Sequence, residues 1–257
     1  MEPVKIAEEL TRILRLETNP VAVTVFRDRN EMKRKPLKQK HNICQLLSMA
    51  RFNGRTNTSV AETQVCAMGA CCLGLIKTPE SFTSGKAAYH VYTGTHEAAV
   101  RFMSNVYKIG DNGKQYDSIM VKPLFSVKDD EEASVLVIYV NPLQAMCLIH
   151  ASLWDDGEKV TADTVAEGAL CSAIAYAIDK NKPIIGFPCT GDRTYSGTQN
   201  HELVYAAPYA WAKEKLLNNL VQVINGGASA VPMAPYMYWT PVMDADYTIT
   251  NEMINDK

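Results

Sequence analysis

In "MEPVKIAEELTRILRLETNP" the apolar residues Ile6, Leu10, Ile13 and Leu14 recur at helical spacing, with Glu8, Glu9 and Arg12 between them. This pattern predicts an amphipathic helix packed on a core, not a signal peptide. The runs "VAVTVF" (21–26) and "VLVIYV" (135–140) read as buried strands. "YDSIMVKPLF" adds a strand between them, and "PIIGF" another near residue 185. The segments "ICQLLSMARFNG" (43–54) and "MCLIHASLWDDG" (146–157) are helices ending at glycine. In "NPLQAM", Asn141 supplies a cap and Pro142 the first helical position. "TADTVAEGALCSAIAYAIDKNKP" reads as one long helix stopped before Pro183.

Several elements recur in one order. The 43–54 helix aligns with the 146–157 helix, which sets Cys44 opposite Cys147. "AETQVCAMGACCLGLI" aligns with "ADTVAEGALCSAIAYAI". "HVYTGTHEAAVRFMSNVYKI" (90–109) aligns with "VYAAPYAWAKEKLLNNLVQV" (204–223), each read as a strand followed by a helix. The expected fold is therefore mixed α/β (α+β). Two similar β-α-α-β-α halves, residues 1–125 and 126–257, pack as one unit with a mixed sheet covered by helices. The tail "APYMYWTPVMDADYTITNEMINDK" lacks clean periodicity, and its Met and aromatic residues are expected to pack on a neighbouring surface such as a second subunit of a homo-oligomer.

The differences between the halves direct attention to two loops. "RDRNEMKRKPLKQKHN" carries Arg27, Arg29, Lys33, Arg34, Lys35, Lys38 and Lys40, and reads either as a solvated loop or as an attractor for an anion. "FPCTGDRTYSGTQN" (187–200) carries Cys189, Gly191, Asp192, Arg193 and Gly197. Its glycines permit close approach of a ligand, and Arg193 offers paired donors to a carboxylate or phosphate.

A net charge of −2 supplies no basic field for nucleic acid, and no apolar run is long enough to span a membrane. A cytoplasmic location is expected, where the seven cysteines stay reduced or ligate a metal. In "VCAMGACCLGL" successive residues of a regular helix turn by about 100°, so Cys66, Cys71 and Cys72 cannot all face one ion. "SVAE" (59–62) could start a helix before Cys66. A start near Gly69 instead places Cys66 at the helix N-terminus, where the dipole favours a thiolate, and this arrangement is preferred. No CxxC pair, HExxH, GxSxG, Walker loop or GxGxxG occurs. A metal site must then come from distant segments, with Cys44, Cys66 and Cys189 as candidate ligands. Three thiolates suit an iron–sulfur cluster with one open iron, or zinc as the alternative. Cys71, Cys72, Cys147 and Cys171 read as small buried hydrophobes. His150, three residues beyond Cys147, reads as a core histidine and is kept as a candidate ligand contact beside Gly191, Asp192 and Arg193.

"NPVAVTVF", "CQLLSMARFNG", "ETQVCAMGACCLGL" and "FPCTGDRTYSG…HELVYAAP" together resemble the family catalogued as domain of unknown function 169, over about residues 15 to 225. That family looks prevalent in anaerobic bacteria and archaea. Its pattern has a Cys opening the first long helix, matched by Cys44, and a Cys before a glycine-rich helix start, matched by Cys66. A late Cys-x-Gly-x-Arg is matched by Cys189, Gly191 and Arg193, and a Glu before an apolar-Pro strand by Glu202 and Pro208. This chain departs at "CAMGACCLGL", where the family more usually has Pro-Gly-Gly and no vicinal cysteines. The resemblance brings no assigned activity, but it singles out the same three cysteines. The expected function is a three-cysteine metal or iron–sulfur site between the halves, with a small anionic ligand beside it. The alternatives are a metal-free small-molecule binder that uses the 187–200 loop, and a thiol redox protein that uses Cys71 and Cys72.

Overall fold

A computed structural model describes residues 1–110, 113–227, 245–250 and 253–254. The chain opens with α1 (Pro3–Leu14), β1 (Val21–Phe26), α2 (Ile43–Asn53), β2 (Asn57–Val60) and α3 (Ala67–Cys72). α4 (Glu80–Thr83), α5 (His96–Asn105), β3 (Ser118–Pro123), β4 (Val135–Val140) and α6 (Pro142–Leu153) follow. Next come β5 (Thr161–Asp163), α7 (Ala169–Lys180), β6 (Ile184–Gly186), α8 (Thr190–Ser196) and β7 (Leu203–Pro208). α9 (Tyr209–Trp211) continues through a π turn (Ala212–Leu216) into α10 (Leu217–Asn225).

Among the described residues the strands form one seven-stranded sheet in the order β2-β3-β1-β4-β7-β6-β5. The β5–β6 pair is parallel and the remaining neighbours are antiparallel. The uninterrupted apolar run of β4 has a direct cause. Val135, Val137 and Tyr139 enter one core cluster while Leu136, Ile138 and Val140 enter the other, because successive side chains point to opposite faces and both faces are covered. α2, α3, α5 and α7 contribute to the first cluster, and α1, α6 and the α9–α10 helix to the second.

This layering does not bear out the alignment of the halves. α2 and α6 both begin with an Asn–Gln capping box, Asn42 with Gln45 and Asn141 with Gln144. They nevertheless lie on opposite faces of the sheet, so Cys44 and Cys147 do not correspond in space. The strand order is balanced about the central β1–β4 pair, with β3 beside β1 and β7 beside β4. Two further expectations change. Residues 88–95 form tight turns rather than a strand, with Tyr89 and Thr93 joined by an isolated bridge. The long helix expected from Thr161 begins only at Ala169, because Thr161–Asp163 pair with β6 and Gly168 caps the helix in the left-handed region at φ 59°. Most of the tail expected to pack on a neighbour falls outside the described residues, and its Asp246 and Tyr247 are exposed.

Candidate thiol site

The first turns of four helices carry a cysteine. Cys66 is the N-cap of α3 and Cys189 the N-cap of α8; Cys44 lies in the first turn of α2 and Cys171 in that of α7. The helix beginning after Cys66 is the arrangement preferred from sequence. The "SVAE" box instead ends β2 and enters a 3-10 turn, Ala61–Thr63. Sequence reading placed Cys171 among the packing residues, since a cysteine in "ALCSAIAYA" looks like any small buried residue. The signal that could have found it is the register of α7 against α2, which needs the strand order.

These sulfurs interact. Cys66 is half-buried, and its Sγ accepts the Gly69 N–H at 3.4 Å. Burial pushes its thiol pKa up, the Gly69 N–H opposes this, and charge on Cys44 or Glu167 pushes it further up. Burial likewise raises the Cys189 thiol to about 11, against the Asp192 N–H and reinforced by Cys44, Glu167 and Asp192. Cys44 thus lies within electrostatic range of both. The neighbouring Cys44 thiol and burial hold the Cys171 pKa well above the ordinary thiol value. Gly69 leaves room for the Cys171 side chain: a Cβ there would stand 3.1 Å from its sulfur. Cys44, Cys171 and Cys189 are buried, while Cys66 and Glu167 are half-buried.

Glu167 is half-buried near Tyr92, a pairing that no sequence pattern had indicated. Burial raises its pKa and the Tyr92 hydroxyl opposes the rise. Burial and Glu167 together push Tyr92 to about 12.

The remaining candidates separate from this group or serve the scaffold. Asp192 is buried and receives hydrogen bonds from Tyr139, Ser196 and Thr198, so it faces inward rather than toward a ligand. Arg193 donates to the Gln199 carbonyl at 2.6 Å and braces its own loop. Gly191 is not needed for space, since an added Cβ would meet only the Cys189 sulfur at 3.8 Å. His150 lies on α6, whose buried residues pack in the other cluster across the sheet from Cys44 and Cys171, and so leaves the candidate site. Cys71 and Cys72 are buried at 1% and 0% exposure, with Cys71 Sγ 3.2 Å from the Met68 carbonyl and Cys72 Sγ 3.9 Å from Ser172 Oγ. Both pack, as read from sequence. In the basic loop Arg29 pairs with Glu62 and Arg34 donates to the Thr56 carbonyl. Lys33 and Arg34 also line a groove of about 610 Å³, where Glu31, Asp130, Glu131 and Glu132 balance them. That groove adjoins Thr24, on the α1 side of the sheet, since Ala22 two residues before it packs there.

Three thiols with a nearby carboxylate are a donor set for zinc or an iron–sulfur cluster. Among the described residues, no group of three or more His, Cys, Asp or Glu is already arranged to hold a metal ion.

No helix of the described residues is long and apolar enough to cross a membrane. No solved structure matches the chain. "Uncharacterized protein MJ0308" of Methanocaldococcus jannaschii is 25% identical over 209 residues, covering 79% of this chain and 87% of that protein. The family model described as "Uncharacterised ArCR" matches residues 9–218. The chain therefore belongs to the Uncharacterised ArCR family, domain of unknown function 169.

Proposed function

We propose that this protein holds a metal ion or iron–sulfur cluster on Cys44, Cys66 and Cys189. What supports the reading is that Cys44, Cys66 and Cys189, from three distant segments, each lie at the start of a helix, and that Cys44 acts electrostatically on the other two. Helix starts present unpaired N–H groups and a positive dipole end, both of which favour a thiolate. The Gly69 N–H already points at Cys66, and the Asp192 N–H acts on Cys189. Cys171, buried and neighbouring Cys44, would be placed to orient and tune that ligand. A bound centre would supply Lewis-acid or electron-carrying chemistry.

The test is anaerobic purification and reconstitution with metal and sulfide analysis and a visible spectrum. A bound centre is expected, lost in Cys44→Ala, Cys66→Ala and Cys189→Ala and retained in Cys71→Ala and Cys147→Ala. Visible sulfide-to-iron absorption would select the cluster; stoichiometric zinc without colour would select the ion. A colourless, metal-free protein after reconstitution rejects the reading, as does equal loss in Cys147→Ala.

A further inference from the structure

We propose that the groove over the β1–β3 end of the sheet binds a zwitterion of dipeptide size with an apolar side chain. This site is independent of the thiols. The groove lies on the α1 face of the sheet, whereas Val23 and Val121, the chain neighbours of its Thr24 and Lys122, point to the other face and pack in the cluster that holds Cys44 and Cys171. Its floor is Thr24 and Phe26 of β1 with Met120 and Lys122 of β3, Thr24 standing opposite Met120 in the ladder. Residues of the 31–34 and 126–133 segments form its walls. The enclosed space of about 610 Å³ falls within the range of small-molecule sites, about 300–1,000 Å³.

Three observations set the chemistry of the ligand. First, the Lys122 side chain lines the groove at 9% exposure, and its Nζ donates to Glu131 Oε2 at 2.7 Å. The same oxygen accepts the Lys128 N–H at 3.0 Å, so this carboxylate is committed to the protein. An ammonium carries three donors. Among the described residues Glu131 is the acceptor for one of them. A buried donor without an acceptor is costly, and a ligand carboxylate answers the remaining two. Second, the walls carry charges of both signs that the protein leaves unmatched. Among the described residues Glu131 and Glu132 pair with Lys122 and Lys213, but Lys33, Lys128, Glu31 and Asp130 form no ion pair. A simple anion would face Glu31 and Asp130, and a simple cation would face Lys33 and Lys128. A molecule with one charge of each sign complements both sets. Third, Phe26 and Met120 are half-buried in the floor, and Val127 and Ala133 continue the apolar surface between the charged walls. That surface suits an apolar side chain.

The experiment is calorimetric titration of the full-length protein with alanyl-, leucyl- and phenylalanyl-glycine, their N-acetyl forms, their C-terminal amides and inorganic phosphate. Saturable binding of a free dipeptide is expected, weakened about tenfold or more when either terminal charge is removed. Lys33 and Asp130 are exposed and unpaired, so Lys33→Ala and Asp130→Asn test the site without disturbing the fold. Each should weaken binding about two- to fivefold. The Asp130→Asn loss should vanish with the N-acetyl form and the Lys33→Ala loss with the amide. Lys122→Met should cost about tenfold, with thermal unfolding checking that the variant is folded; the two exposed variants carry the test where it is not. Absence of saturable binding by all three dipeptides overturns the proposal. So does equal affinity for the acetylated, amidated or phosphate probes, or unchanged affinity in both exposed variants. None of these results bears on the thiol centre.

Discussion

Replacing Glu202 by Gln tests the buried ion pair that joins α2 to the segment after α8. Arg51 and Glu202 are 1% and 5% exposed, with Nη1 2.7 Å from Oε1 and Nη2 3.1 Å from Oε2. The guanidinium also faces Tyr139 at 3.7 Å and Phe52 at 4.3 Å from the ring centroids. Glutamine keeps the shape but leaves the Arg51 charge uncompensated in the interior. Removing one member of such a pair costs about 3–5 kcal/mol. The ring contacts survive and contribute up to about 2 kcal/mol, and the amide oxygen still accepts one hydrogen bond worth about 1 kcal/mol. The expected loss is therefore at the lower end, about 3 kcal/mol. The double variant Arg51→Met/Glu202→Leu removes both charges and should recover most of it, since a well-packed apolar replacement of a buried pair is often neutral. Urea unfolding of the parent, Arg51→Met, Glu202→Leu and the double variant, with an unchanged dependence on urea, gives the coupling. A Glu202→Gln loss below about 1 kcal/mol, or a double variant as unstable as the summed singles, would refute the assignment of this stability to charge pairing.

Three further outcomes are expected. Burial raises the pKa of Asp192 despite its donors. Its contribution is thus present below the unfolded carboxylate value and is lost as pH rises through the folded one, so Asp192→Asn should gain stability relative to the parent across that window; a pH-independent difference in chemical denaturation would contradict this. With its pKa at about 11, Cys189 in the metal-free protein should react with iodoacetamide at pH 8 roughly a hundredfold more slowly than an ordinary thiol, and peptide mapping that finds it among the fastest thiols would disprove this. Gly69→Ala gains about 1 kcal/mol of helix propensity but brings a Cβ within 3.1 Å of the Cys171 sulfur and 3.2 Å of Ile43 Cγ1. Crowding of about 1–3 kcal/mol should outweigh the gain, giving a lower melting temperature and weaker metal uptake, and a more stable variant with normal uptake would show that the floor of the site is slack.

The sequence by itself determined the elements whose signals are local. The spacing of Ile6, Leu10 and Leu14 marked α1, and the apolar runs at 21–26 and 135–140 marked β1 and β4. Asn141 with Pro142 marked the start of α6, and the Gly69 argument put Cys66 ahead of its helix. Each signal is a period or a cap contained within a few residues. Tertiary structure alone decided which face each helix covers, because an amphipathic stripe specifies that a face is buried but not against what. That decision moved His150 and Cys147 across the sheet and brought Cys171 to Cys44. Glu167 depended on it most. It sits in a short turn between a strand and a helix that the sequence merged into one helix, and the left-handed Ala166 and Gly168 shape that turn.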